Sequence, residues 1–272
     1  MPKNKTPNQW SRLLTPASLA EYGAIDKARP KDPFDPGGAW RQTWRLWLLR
    51  RNTKDVNHRG FIRLERRPSS SGKSFDLDIT QTAIQVSQYA VHQMRARLRC
   101  AGDALATPVS WSIQTRLFSV TGDREFTEAA VQKKGSLTGG KLRTEAGGRT
   151  FEEDLSGPVT SNWSLFEALE RLPGPEAPPL GFTLLDELDK IKPAQRLRFR
   201  QTTSIPFGGE TVKVHCYQRL GEGHLPCYYY VDGNHRLLLM ISELRAYILD
   251  ADAERKHEEI LKRLAGSRRR TS

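Results

Sequence analysis

Side chains alternate between apolar and polar with a period of two along most of this chain, and that period commits it to β-structure. From Trp40 to Leu48 the even positions Trp40, Trp44, Leu46 and Leu48 are apolar, with Arg41, Thr43 and Arg45 between them. Ile62 and Leu64 alternate with Arg59, Arg63, Glu65 and Arg67; Phe75, Leu77 and Ile79 alternate with Ser74, Asp76 and Asp78. Met94 to Cys100 alternates strictly, Val109 to Leu117 places Trp111 and Ile113 on one side, and Leu197 and Phe199 sit among Arg196, Arg198 and Arg200. Such strands are half-buried and antiparallel, one face on a core and one in water. So many of them must curl or close to protect their edges. The expected fold is mainly β (α+β): a large curved antiparallel sheet or half-barrel with two or three helices packed on it.

Three helices are expected. Thr160 or Ser161 can cap one near 161–172, stopped by Pro173-Gly174-Pro175. Thr183 can cap another near 183–191, with Asp186 and Glu187 in its first turn and Pro193 beyond its end. The acidic cluster Asp186, Glu187 and Asp189 is then explained by capping and the helix dipole. The third helix is charged, spans 251–265, and leads into a basic tail within 251–272. Residues 1–36 are rich in proline and read as an irregular arm, with Trp10, Leu13 and Leu14 available to dock it. Residues 37–250 form the β domain between arm and helix. Asp232-Gly233 favours a tight hairpin turn.

The 272 residues carry 43 Lys+Arg against 31 Asp+Glu, a net charge of +12. That surplus concerns partners and solubility rather than fold. No stretch approaches the roughly 20 apolar residues of a membrane-spanning helix. Met1 to Lys5 is not followed by an apolar run, so a cytoplasmic location is the default expectation, and an exported one if a leader has been removed. Cys216 and Cys227 would face each other across a hairpin centred between Gly221 and Glu222, as two small buried thiols or a cross-strand pair. His215, Cys216, His224 and Cys227 are the one cluster of soft ligands. Adjacent His215 and Cys216 point to opposite faces of a strand, so neither zinc nor any other cofactor is expected.

No G-x-S-x-G elbow, H-E-x-x-H pair or phosphate-binding G-x-x-x-x-G-K-[ST] loop is present, and no residue nominates itself as catalytic. Two non-enzymatic chemistries lead, with a hydrolase or transferase built from scattered residues of a β-barrel as a third reading. Trp40, Trp44, Trp111, Phe199, Tyr228 and Tyr230 are candidate linings for a lipid or another apolar or amphipathic small molecule held by the curved sheet. Arg41, Arg45, Arg59, Arg63, Arg95, Arg97, Arg99, Arg196, Arg198 and Arg200 are candidate contacts for a polyanion such as nucleic acid, because forked guanidinium donors suit phosphate oxygens. The same arginines serve equally as an ordinary wet strand face paired with Glu65, Asp76 and Asp78.

Residues 151–250 carry a further pattern: Asn162 to Phe166 opening a helix, Phe182 to Leu188, Lys192-Pro193, Gly221 to Pro226 before a tyrosine strand, and Asp232 to Leu237. This order resembles uncharacterised bacterial exported β-sheet proteins of the lipoprotein-carrier-like kind, whose curved sheet wraps a helix. The resemblance implies a binding or envelope role and names no site residue.

Overall fold

The computed structural model describes residues 14–48, 58–85, 89–176, 178–223, 225–243 and 245–268. Trp10, Leu13, residues 52–57, His224 and residues 269–272 of the basic tail lie outside them. The alternating segments form strands β1 (Trp40–Leu48), β2 (His58–Pro68), β3 (Ser74–Gln85), β4 (Ala90–Ala101) and β5 (Pro108–Ser119). Then follow β6 (Val131–Thr138), β7 (Lys141–Ala146), β8 (Arg149–Asp154), β9 (Val159–Ser161) and β10 (Leu180–Asp186). The last are β11 (Lys190–Phe207), β12 (Glu210–Leu220), β13 (Cys227–Asp232), β14 (Leu237–Ser242) and β15 (Arg245–Leu249). The α-helices are α1 (Pro16–Glu21), α2 (Ser164–Glu170) and α3 (Ala253–Arg268).

All these strands join one open sheet in the order β8-β7-β6-β5-β4-β3-β2-β1-β15-β14-β13-β12-β11-β10-β9. Every neighbouring pair is antiparallel except β9–β10. The sheet curls until its β9 edge returns to the β4–β5 turn. There Thr160 Oγ1 donates to the Leu105 carbonyl at 2.7 Å and Thr107 Oγ1 donates to that of Val159 at 2.8 Å. Lys133 of β6 also pairs with Asp189 in the β10–β11 turn. Side chains rather than a backbone ladder bring the edge back.

One face of the sheet turns inward around α2. Phe166 of α2 meets Trp44 of β1, Tyr229 of β13 and Tyr247 of β15 edge-on, at centroid distances of 5.2, 6.5 and 5.7 Å. The outer face is covered where it is apolar. Residues 14–36, read as an irregular arm, run across it and carry α1. Tyr22 stacks on Trp47, Arg45 donates to the Ala24 carbonyl, and Lys27 and Ala28 press against Gly208 in the β11–β12 turn. Between these contacts Leu239 and Ile248 are fully buried. Helix α3 lies over β1 and β2, with Glu254 accepting from Arg41 at 3.0 Å and Arg63 at 2.9 Å.

Two expectations need correction. Residues 183–191 are not a helix but the end of β10, a turn and the start of β11, with Leu185 opposite Ile191 and Asp186 opposite Lys190. Glu187 and Leu188 adopt φ of 53° and 58°, so the acids mark a left-handed turn rather than a helical one. Strand β10 is buried on both faces, which erases the period-two signal. The β12–β13 hairpin is also centred later than expected: Cys227 stands opposite Arg219, and Cys216 opposite Tyr230. Gly221 to Gly223, Leu225 and Pro226 lie outside both strands, and both cysteines are buried free thiols.

Gly60 of β2 sits at φ 154°, and a Cβ there would lie 1.7 Å from the Thr82 carbonyl oxygen of β3. Backbone cannot give way as a side chain can. Gly60→Ala is therefore expected to lower stability by about 3 kcal/mol in urea unfolding, the upper range for overpacking. An unchanged midpoint would contradict the close β2–β3 approach.

Candidate functional site

The site is built around α2, so its formation comes first. Ser161 and Ser164 cap the helix reciprocally: Ser161 Oγ accepts from the Ser164 amide at 3.0 Å, and Ser164 Oγ accepts from the Ser161 amide at 2.9 Å. Every residue of α2 is buried, including two carboxylates. Glu167 is held by Arg66 at 2.8 Å and by Arg171, one turn away, at 2.8 Å. Glu170 accepts from Gln42 Nε2 at 2.8 Å and from the Leu237 amide at 3.0 Å. Burial pushes the Glu170 carboxyl up to about 8, although these two donors pull against the rise. The polar side of α2 is thus satisfied by strands β1, β2 and β14, as buried polar groups require.

The opposite end of α2 opens on a cavity of about 430 Å³. Trp163 and Phe166 form its floor. Leu48, Ile62, Asp186, Arg219, Cys227, Tyr229, Met240, Ser242, Arg245 and Tyr247 bring side chains of seven strands to its wall, and Gly223, Leu225 and Glu243 contribute from loops. Convergence of that many strands on one space is what makes this face concave. Its size lies within the roughly 300–1,000 Å³ usual for small-molecule sites, and its walls mix aromatic rings with the charged groups of Asp186, Arg219, Glu243 and Arg245. Burial pushes the hydroxyls of Tyr229 and Tyr247 above the usual phenol range, so both are neutral donors at pH 7. A second cavity of about 160 Å³ lies on the other side of Trp163, against Met94, Ile113 and Lys133.

The six aromatic residues proposed from the sequence fall elsewhere. Trp44 is fully buried core, its Nε1 donating to the Leu237 carbonyl at 2.7 Å. Trp40 packs beneath the arm against Phe34, Trp111 lies over Gly135, and Phe199 packs on Tyr217. Tyr228 and Tyr230 point to the outer face, where Gln218 Nε2 donates to the Tyr228 hydroxyl at 3.0 Å. None of the six lines the larger cavity. Tyr229, between two of them, does. Arg219 was also missed; its signal was phase, since it shares the inward side of β12 with Tyr217 and stands opposite Cys227.

The ten arginines do not form one surface. Arg41, Arg63, Arg97 and Arg99 pair with Glu254, Glu65, Asp78 and Asp76 on the outer face of β1–β4. Arg45 and Arg59 are buried, the former against Asp26 and Asp250. Arg95 is exposed beside them. Arg196, Arg198 and Arg200 lie on β11, separated from β1 by β15, β14, β13 and β12, and Arg198 donates to Gln218 at 3.0 Å.

Among the described residues no group of His, Cys, Asp or Glu is placed to hold a metal ion, and no helix is long and apolar enough to cross a membrane. No protein-family model and no curated protein matches the chain. Among solved structures it is similar to a β-barrel-like protein of Domain of Unknown Function DUF1849 from Brucella abortus, with TM-score 0.51 and 14% identity over 78% of this chain and 96% of that one. A DUF1089 family protein from Pseudomonas aeruginosa aligns at TM-score 0.32 and 13% identity over 78% and 95% of the two chains. The first likeness shows the fold: this is a β-barrel-like protein.

Glu170 gives the site a pH signature. Unfolded, its carboxyl titrates near 4.5; folded, near 8, so between those values the folded state holds a proton that the unfolded state has lost. The Glu170 contribution is complete below pH 4.5 and declines as pH rises to 8, on the order of 1.4 kcal/mol per pH unit within that window. Urea unfolding across this range should show wild type losing stability relative to Glu170→Gln as pH rises. Parallel curves would mean that α2 does not bury a titrating carboxyl.

Proposed function

We propose that this protein is a non-enzymatic binding or accessory protein that holds an amphipathic small molecule in the cavity beside α2. One observation carries the reading: a space of about 430 Å³ stays open beside α2, walled in part by Phe166, Tyr229, Met240 and Tyr247. Side chains of the sheet and of α2 do not fill it, and walls that combine aromatic rings with charged groups favour an occupant of the same mixed character. The polyanion reading has less support, because acidic partners interleave with the arginines of β1–β4 and such exposed pairs leave little net field.

Native mass spectrometry of freshly purified protein at low salt is expected to show one discrete adduct of small-molecule mass. Ser242 stands on the cavity wall. Ser242→Trp should fill the space and weaken binding of an amphipathic fluorophore, anilinonaphthalene sulfonate, by about tenfold, equivalent to 1.4 kcal/mol. Bare protein together with unchanged fluorophore binding by the variant would refute the reading; a trail of heterogeneous nucleic acid would favour the arginine faces instead.

A further inference from the structure

Arg219 is the one feature of the cavity that packing leaves unexplained. Its side chain is only 3% exposed, yet it reaches the cavity wall from β12. Nη2 donates to Cys227 Sγ at 3.1 Å, while Nε and Nη1 have no hydrogen-bond partner among the described residues. A guanidinium remains charged in a protein, so these are donors on a buried cation. Burial opposes that charge, but Tyr229, Cys227 and Asp186 beside it hold its pKa above the usual arginine value.

Asp186 favours the Arg219 charge from nearby without forming an ion pair with it. Asp186 is on the same wall but is engaged by Lys192 at 2.8 Å. Compare Arg66, the other buried arginine facing inward: it is paired with Glu167 at 2.8 Å and also donates to the carbonyls of Gly37 and Gly38. The fold therefore satisfies an inward arginine where its role is structural. Leaving charged donors unmet in a dry interior is costly, and the cost disappears when an oxyanion sits against them. The space in front of Arg219 is walled by Tyr229, Met240 and Tyr247, which suits an apolar chain and not a bare hydrated ion.

We propose that Arg219 is the headgroup-recognition residue of this cavity, and that the ligand is an amphipathic carboxylate whose apolar chain lies against Phe166, Met240 and Tyr247. This rests on the amphipathic-ligand reading above and adds the sign and place of the charge. Arg245 also lines the cavity but is exposed and hydrogen-bonded to Tyr247, and Asp186 and Glu243 stand on the same wall, so the buried Arg219 fits a singly charged headgroup. Tyr229 lines the same wall and, as a neutral hydroxyl, supplies a second donor.

The test compares dodecanoate with dodecanol, which share a chain and differ in charge, by isothermal titration calorimetry at constant pH and salt. Wild type should bind dodecanoate about ten- to a hundredfold more tightly, the range for a hydrogen bond to a charged group. Arg219→Gln should lose that preference, its affinity for dodecanoate falling to about that for dodecanol, and Arg219→Lys should keep part of it. Equal affinities in wild type, or a preference that survives in Arg219→Gln, would overturn the assignment while leaving the cavity's role intact. Failure of wild type to bind either probe would remove the amphipathic-ligand reading, and the headgroup site with it. If Arg219→Gln does not fold, the wild-type comparison and Arg219→Lys decide.

Discussion

The structure depends on a helix placed where it has no access to water. A sheet this wide, curled on an apolar face, encloses more space than its own side chains fill, and α2 occupies the centre of that space. The helix can remain there only because both of its requirements are met. Phe166 enters a ring of Trp44, Tyr229 and Tyr247, and the carboxyls of Glu167 and Glu170 find Arg66, Arg171, Gln42 and the Leu237 amide. The partners come from strands at the middle of the sheet, so the helix fixes the curvature as much as it fills it. Removing one partner of such a buried network costs more than the hydrogen bond itself, because the remaining group loses water without compensation.

Curvature then determines what the two faces can do. Inside, α2 divides the free space at Trp163 into a larger and a smaller cavity, the larger with Arg219 on its wall. Outside, β1–β4 present arginines and acids in register, and the apolar strands β14 and β15 are sheltered by residues 14–36. The outward arginines of β1–β4 are largely paired with acids, while Arg219 brings a buried charge to the wall of the larger cavity.

How much of this was legible follows from how many faces of each strand meet water. Strands β3–β5 alternate because one side is wet, and β1 and β2 still alternate in residue type although residues 14–36 and α3 cover much of their outer side. Strands β10 and β14 are covered on both sides, so Leu184-Leu185 and Leu237 to Ile241 carry no alternation. Residues 183–191 consequently resemble a capped helix, since turn acids and cap acids are the same residue types. Tyr228, Tyr229 and Tyr230 are chemically alike, and only the hairpin register decides which of them faces the cavity. That register was displaced by a loop whose length is not encoded in any turn dipeptide. Arg219 was hidden by its type: an arginine in a strand is ordinarily outward, and only its phase with Tyr217 marks it as inward.

The central claim, that a fully buried α2 anchors the curled sheet and shapes the cavity, is tested most directly by native-state hydrogen exchange of the α2 amides. The account predicts that amides 167–170 open only with global unfolding, with free energies equal to those of β1 and β14. Exchange of α2 by a separate opening, several kcal/mol easier than that of the central strands, would contradict it and leave the sheet standing without its helix.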